Sequence, residues 1–239
     1  MLKFVNITAK VLNYLPVNFK NILFEVALSY FPLWLIKMIP CSYSSYLKCY
    51  FPKKGDVVID CGANIGNCAI LFSRLVGKDG FVGALEPLEE SFNILKNRMK
   101  RLRRKNIIAI NKGVWNDTGI YLLKVFPNTI FCKIEKPTNP TVQNNNYIPI
   151  KCITIDELMD ELELERLDMI KMDIEGAEIE ALQGSENTLR HYHPHVAVAS
   201  YHKRDNKPAY HEVEKILCRQ GYTVRTFFPP HLTTCGKKG

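Results

Sequence analysis

The 239-residue sequence predicts an α/β fold: a doubly wound, mainly parallel sheet with helices on both faces and an N-terminal helical extension. Three observations predict it. From Pro52 onward, short continuous apolar runs alternate with helix-periodic stretches, the pattern of strands buried beneath helices. A glycine-rich turn joins the first run to the first helix of this region. The first two runs each end in a carboxylate, Asp60 and Glu86.

Residues 1–50 are assigned to the extension or lid and residues 51–239 to the main domain. The extension reads as two or three helices carrying Phe, Tyr, Trp and Leu. Its most apolar stretch, Ile22–Ile39, is broken by Glu25, Pro32 and Lys37, so a spanning helix of about 20 apolar residues is not expected. No cleavable leader is expected either. Lys3, Lys10, Lys20 and Lys37 leave a membrane-surface or dimer contact as the alternative to a lid.

In the main domain, Val57–Asp60 is the first strand and Asn67–Val76 the first helix. Phe81–Glu86 is the second strand. A helix over 88–104 places Phe92, Leu95, Met99 and Leu102 on one face, and its Arg98–Lys105 end reads as solvated. Ile107–Asn111 is the third strand, and residues 116–148 read as inserted strands and loops. Thr154-x-x-Glu157 is a capping box opening the helix Ile155–Leu164. Asp168–Asp173 is the fourth strand, followed by a helix over Ala177–His191. Val196–Ser200, a helix over Pro208–Gln220, Tyr222–Phe228 and Leu232–Cys235 complete the sheet.

The composition is that of an ordinary globular domain, since 46% of residues are hydrophobic and 23% charged. The net charge of +8 favours anionic surroundings: nucleic acid, acidic glycans or an anionic membrane face. None of the eight cysteines forms a C-x-x-C pair. They read as reduced thiols in a cytoplasmic protein, peripheral at the membrane if the basic surface is used.

Ligands of such sheets bind beyond the carboxyl ends of the strands, near the point where strand order reverses. The turn Asp60-Cys-Gly-Ala-Asn-Ile-Gly66 lies there, but its glycines are spaced G-x-x-x-G. Asp60 in front of them would repel a pyrophosphate. S-adenosylmethionine suits the turn better, because it is phosphate-free, carries a cationic sulfonium, and offers an ammonium to an acid and a carboxylate to the helix N-terminus. Glu86 is placed to accept hydrogen bonds from the ribose hydroxyls.

Asp60-Cys-Gly-Ala-Asn-Ile-Gly66, Leu85-Glu86-Pro87, Lys171-Met-Asp-Ile-Glu-Gly-Ala-Glu178 and Ser200-Tyr-His-Lys203 resemble the FkbM family of methyltransferases over roughly residues 50–228. The resemblance implies a class I methyltransferase (Rossmann-like) fold, S-adenosylmethionine as cofactor, and a hydroxyl acceptor on a sugar, glycan or other small molecule. It maps cofactor binding onto Asp60, Gly62, Ala63, Asn64, Gly66 and Glu86, with Pro87 beside them. Many members end the fifth strand in an acid, where this chain has Ser200; others carry a Tyr-His-Lys like this one.

Methyl transfer to a hydroxyl needs alignment and a base. Asp173 and His202 are the candidate bases, with Glu175 and Lys171 positioning the acceptor or the methionine end of the cofactor. In a rival scheme, Asp173, Glu175 and His202 hold a divalent cation. His191–His195 and Cys61 are assigned no chemistry. Asp173 and Glu175 could also merely cap the following helix. The alternative function is RNA (tRNA) methylation through the Arg98–Lys105 surface, although no Asn/Asp-Pro-Pro-aromatic motif follows the fourth strand. A nicotinamide-dependent oxidoreductase and a non-catalytic scaffold complete the alternatives.

Overall fold

Five consecutive buried residues, Val57–Cys61, form the interior strand β1 of a seven-stranded sheet. The computed structural model describes residues 43–126, 132–136, 146–204, 207–228 and 232–239. The expectations for Ile22–Ile39 and the lysines around it lie outside the described residues. No helix among the described residues is long and apolar enough to cross a membrane.

Helix α1 (Tyr43–Cys49) precedes β1, and α2 (Asn67–Val76), β2 (Phe81–Leu85), α3 (Glu89–Arg101) and β3 (Ile107–Ile110) follow it. Then come β4 (Gly113–Val114), β5 (Gly119–Val125), β6 (Cys132–Glu135), β7 (Tyr147–Ile153) and α4 (Ile155–Glu161). The remaining elements are β8 (Met169–Met172), α5 (Glu178–Gln183), α6 (Glu186–His191), β9 (His195–Ala199), β10 (Lys203–Arg204), β11 (Lys207–Pro208), α7 (Tyr210–Arg219), β12 (Thr223–Phe227) and β13 (Thr233–Lys237).

The large sheet has the order β12-β13-β9-β8-β1-β2-β3. Strand β1 pairs in parallel with both β2 and β8, and β8 in parallel with β9. Strand β13 runs antiparallel between β9 and β12. The chain winds outward from β1 to β3 and then returns to β8 on the other side, so strand order reverses between β1 and β8. That reversal opens a crevice at the carboxyl ends of Cys61, Leu85 and Met172. Ile59, Ile170, Met172, Val196 and Val198 pack one continuous core across these strands.

Among the described residues, the inserted region contributes to a four-stranded sheet of order β4-β7-β5-β6, in which β5 runs antiparallel to β6 and β7 while β4 is parallel to β7. Its inner face, Tyr121, Leu123, Ile134, Ile150 and Cys152, packs on Ala177, with Ile174 against the same cluster. The insertion therefore buttresses the loop after β8, where the chemistry is expected.

Thr154 caps α4 as its spacing predicts, accepting from the Glu157 amide at 3.0 Å. Glu157 does not return the bond to the Thr154 amide. It bonds the Thr118 hydroxyl, whose oxygen in turn accepts from the Thr154 amide at 3.3 Å. The single helix expected over 177–191 is two helices, α5 and α6. Gly184 separates them where the backbone meets Trp115, and a Cβ there would lie 2.3 Å from the Trp115 carbonyl oxygen. The carboxylate of Asp156 then satisfies the start of α6, accepting from the Asn187 and Thr188 amides at 3.1 and 2.7 Å.

Two sequence expectations are corrected here. Arg98 is not a solvated helix end; it is 6% exposed, beneath α3 beside Leu95. Cys49 and Cys235 are not free thiols but a disulfide joining α1 to β13. Cys61, Cys68 and Cys152 are buried and form no disulfide, as expected. Residues 40–239 form one compact unit, so α1 belongs with the sheet rather than with the chain ahead of Pro40.

Candidate active site

The turn after β1 is built from left-handed backbone. Gly62, Asn64 and Gly66 have φ of 74°, 49° and 90°. At Gly62 no side chain fits, because a Cβ would lie 2.0 Å from the backbone oxygen of Asp173. The glycine thus lets the β1 turn touch the end of β8. At Gly66 a Cβ would strike the Leu95 side chain at 2.3 Å.

All five amides of this turn donate inside the protein. Gly62 and Ala63 donate to the Leu85 carbonyl at 3.0 and 2.8 Å, and Gly66 to the Ala63 carbonyl at 2.8 Å. Asn64 donates to Glu86 at 2.8 Å, and Ile65 to the Asn64 side chain at 2.7 Å. The turn therefore offers no ring of N–H groups to a phosphate, which removes the main attraction for a dinucleotide. Gly66 is the N-cap of α2 and provides no side-chain cap. Glu86 follows β2, and its other oxygen accepts from the Leu88 amide at 3.0 Å. Each carboxylate oxygen keeps a lone pair for a ribose hydroxyl. Burial pushes the Glu86 pKa up, and those two amides pull it down. Pro87 follows, and its carbonyl and that of Glu86 accept from the Asn111 side chain at 3.1 and 2.9 Å. The set fits a cationic, phosphate-free nucleoside.

Asp60 and Lys171 stand elsewhere than the sequence suggests. The Lys171 ammonium lies 2.8 Å from Asp60 Oδ1, and it donates to the Cys61 and Gly62 carbonyls at 3.2 and 2.9 Å. Both side chains are buried. Burial would lower the Lys171 pKa, but the Asp60 charge and its other acid neighbours raise it overall. Burial pushes Asp60 up, against the pull of Lys171. With three acceptors around the ammonium, the pair is ionised. Asp60 is thus not a free acid awaiting the cofactor ammonium, and Lys171 does not reach toward an acceptor. Together they lock the β1 turn to β8.

Asp173 is gripped from two sides: Tyr46 donates to Oδ2 at 2.9 Å and Tyr201 to Oδ1 at 3.1 Å. Burial and the Asp173 charge raise both phenol pKa values, so both hydroxyls remain donors. His202 sits 3.1 Å from Glu175 and 3.9 Å from Asp173 through Nε2, and 2.8 Å from Glu178 through Nδ1. Burial alone would lower its pKa, but the two glutamates push it up to about 10. At neutral pH His202 is a cation with both nitrogens directed at carboxylates, which leaves it no lone pair to act as a base. The ligand atoms of Asp173, Glu175 and His202 all lie within 4.8 Å of one another, the grouping the divalent-cation scheme needs, but an imidazole protonated on both nitrogens does not ligate a cation. Glu175 itself has φ of 55°, on the left-handed bend that aims it at His202.

The structure brings Asp173, Glu175 and His202 to one mouth, and Gly62 beside them. Glu178, Tyr46, Tyr201 and Arg98 also contact these residues or the turn, and sequence reasoning gave none of them that place. Glu178 is fully buried and accepts from the Ile174 and Gly176 amides at 3.1 and 3.4 Å as well as from His202. It, rather than Asp173 or Glu175, ties the loop down at the start of α5. Arg98 donates to the Ile65 carbonyl at 2.5 Å and to the Asn67 side chain at 2.8 Å, which braces the cofactor turn from α3. Ser200, at the fifth-strand position, is buried against Thr234 at 2.7 Å and faces no site.

The methyltransferase FkbM domain matches residues 60–224 of this chain. Over 138 residues the chain is 28% identical to hexuronic acid methyltransferase AglP of Haloferax volcanii, covering 58% of this chain and 53% of that protein. The chain thus spans about half the length of this relative. The methyltransferase FkbM of Methylobacillus flagellatus KT superposes with a TM-score of 0.56 at 20% identity, over 84% of this chain and 52% of that one. Fibrillarin of Aeropyrum pernix, solved with S-adenosylmethionine bound, superposes with a TM-score of 0.51 at 15% identity, over 81% and 73% of the two chains. These similarities show the class I methyltransferase fold. The chain belongs to the FkbM family of S-adenosylmethionine-dependent methyltransferases, with S-adenosylmethionine as its cofactor.

Proposed function

We propose that this domain methylates a hydroxyl of a sugar or glycan, with Asp173 as the base. The observation that carries the reading is the Asp173 carboxylate, which stands at the strand-order reversal with its orientation fixed by two tyrosine hydroxyls. S-adenosylmethionine, when bound, supplies a methyl group on a sulfonium leaving group. Alignment then supplies most of the acceleration, up to about 7–11 kcal/mol. Asp173 takes the proton of the acceptor hydroxyl as the O–C bond forms and the donor's methyl–sulfur bond breaks with its electron pair left on sulfur, which contributes ~10²–10⁴-fold. His202, charged and held by Glu175 and Glu178, positions that carboxylate cluster. Lys171 and Asp60 keep the two loops in register. The hexuronic acid acceptor named for the Haloferax volcanii relative supports a sugar of that class.

Labelled methyl transfer to hexuronic acid glycosides, neutral glycosides, lipid-linked sugars and bulk tRNA tests the reading. Labelled sugar supports it. Label on tRNA alone, lost steeply with salt, would replace it with the RNA alternative carried by the exposed Lys96, Lys100, Arg101 and Lys105. Calorimetry with S-adenosylhomocysteine against NADH decides between this reading and an oxidoreductase. Binding of the former without transfer to any of these acceptors would favour a scaffold. A cytoplasmic location, peripheral at an anionic membrane, stays part of the proposal, and the redox state of Cys49 and Cys235 in cells tests it.

A further inference from the structure

The FkbM match begins at Asp60, yet the Asp173 site uses a side chain from ahead of it. Tyr46 lies on α1, is 3% exposed, and donates its hydroxyl to Asp173 Oδ2 at 2.9 Å. Its ring also covers the Lys171 ammonium, 5.6 Å from the ring centroid. One tyrosine therefore touches both the proposed base and the cation that joins β1 to β8.

The helix that presents it is held on several sides. Cys49, three residues on, is disulfide-bonded to Cys235 in β13. Tyr50 stacks on His195 at 4.1 Å and donates to Asp56 at 2.8 Å, and the Lys53 amide donates to the same carboxylate at 2.7 Å. These contacts fix α1 against the ends of β1, β9 and β13. A buried phenol held on a pinned helix is a pre-set donor, so Asp173 does not have to be oriented by the incoming substrate.

We propose that Tyr46 is a positioning residue for Asp173, so that the segment ahead of the FkbM domain completes the catalytic site. The inference rests on Asp173 being the base. Tyr46→Phe isolates it, because the ring over Lys171 is kept and only the hydroxyl is lost.

The test compares the full chain, Tyr46→Phe, Asp173→Asn and the double variant, with labelled S-adenosylmethionine and a hexuronic acid glycoside as acceptor. The expected result is a kcat lowered by roughly tenfold or more in Tyr46→Phe, the scale of one hydrogen bond to a charged group. S-adenosylhomocysteine affinity should stay within about twofold, because the turn and Glu86 are untouched. Tyr46→Phe should cost nothing further in the Asp173→Asn background. An unchanged kcat in Tyr46→Phe, or an equal additional loss in Asp173→Asn, overturns the inference. Full activity of Asp173→Asn would instead overturn the assignment of the base. An acceptor-independent readout is the proton resonance of the hydrogen-bonded Tyr46 hydroxyl. It should be present in the wild type, lost in Tyr46→Phe and shifted in Asp173→Asn, whose uncharged amide oxygen is a weaker acceptor; its absence from the wild type, or an unshifted resonance in Asp173→Asn, overturns the inference even if the glycoside is not methylated.

Discussion

The Lys171 ammonium and the Asp60 carboxylate meet at 2.8 Å inside the protein, tying the strand that opens the cofactor turn to the strand that ends in Asp173. Removing one partner leaves the other buried and uncompensated, at a cost of about 3–5 kcal/mol. Lys171→Met should therefore lower stability by that amount in urea titration, and the double variant Lys171→Met/Asp60→Leu should recover part of it. A Lys171→Met protein as stable as the wild type would show that the pair is not ionised.

Arg98 predicts a separable effect on the cofactor. Its guanidinium holds the Ile65 carbonyl and the Asn67 side chain, on either side of Gly66. Arg98→Leu fills similar space beneath α3 but frees the turn. We expect S-adenosylhomocysteine to bind roughly tenfold more weakly, the scale of one or two such bonds. Unchanged affinity by calorimetry would contradict this role.

His202 makes stability depend on pH with a definite sign. Its folded pKa of about 10 lies above the ordinary 6.5. Below about pH 6.5 both folded and unfolded forms carry the proton, and the stabilisation is complete. It declines as pH rises toward 10, where the folded form also loses the proton. Wild-type Tm should therefore fall over that window more than the Tm of His202→Gln. An NMR titration showing a neutral imidazole at pH 8 would refute the cation. Turnover should persist after EDTA treatment, since Glu175 and Glu178 hold both His202 nitrogens as donors; loss of turnover on chelation, restored by a divalent cation, would establish the metal scheme at Asp173, Glu175 and His202 instead.

The Cys49–Cys235 bond closes a span of 186 residues. In the chain-entropy model such a closure contributes up to about 5 kcal/mol. Reduction by a dithiol, or Cys49→Ser, should lower the urea midpoint markedly. Free thiols at both positions in the oxidised protein, detected by alkylation and mass spectrometry, would remove the bond from the account.

The strand–helix order was legible in the sequence because buried parallel strands are continuous apolar runs, and because Gly62 and Gly66 punctuate the first turn. Asp173, Glu175 and His202 were legible as a group because they follow adjacent strands. What hid was non-local. Nothing in a sequence says that Tyr46 returns to Asp173 across 127 positions, or that Arg98 points inward from a helix end rich in exposed cations. Asp60 and Lys171 were each visible, but their mutual burial depends on the parallel register that sets Asp60 opposite Lys171. The break at Gly184 likewise comes from the approach of Trp115, not from helix propensity. Glu178 was in view as the last acid of its motif, but only the fold shows it fixing the imidazole.

The most direct test of the central claim is methyl transfer by Asp173→Asn with cofactor binding measured in the same preparation. We predict that turnover falls by ~10²–10⁴-fold, while S-adenosylhomocysteine binds as in the wild type. Wild-type turnover by a cofactor-bound Asp173→Asn protein would contradict it.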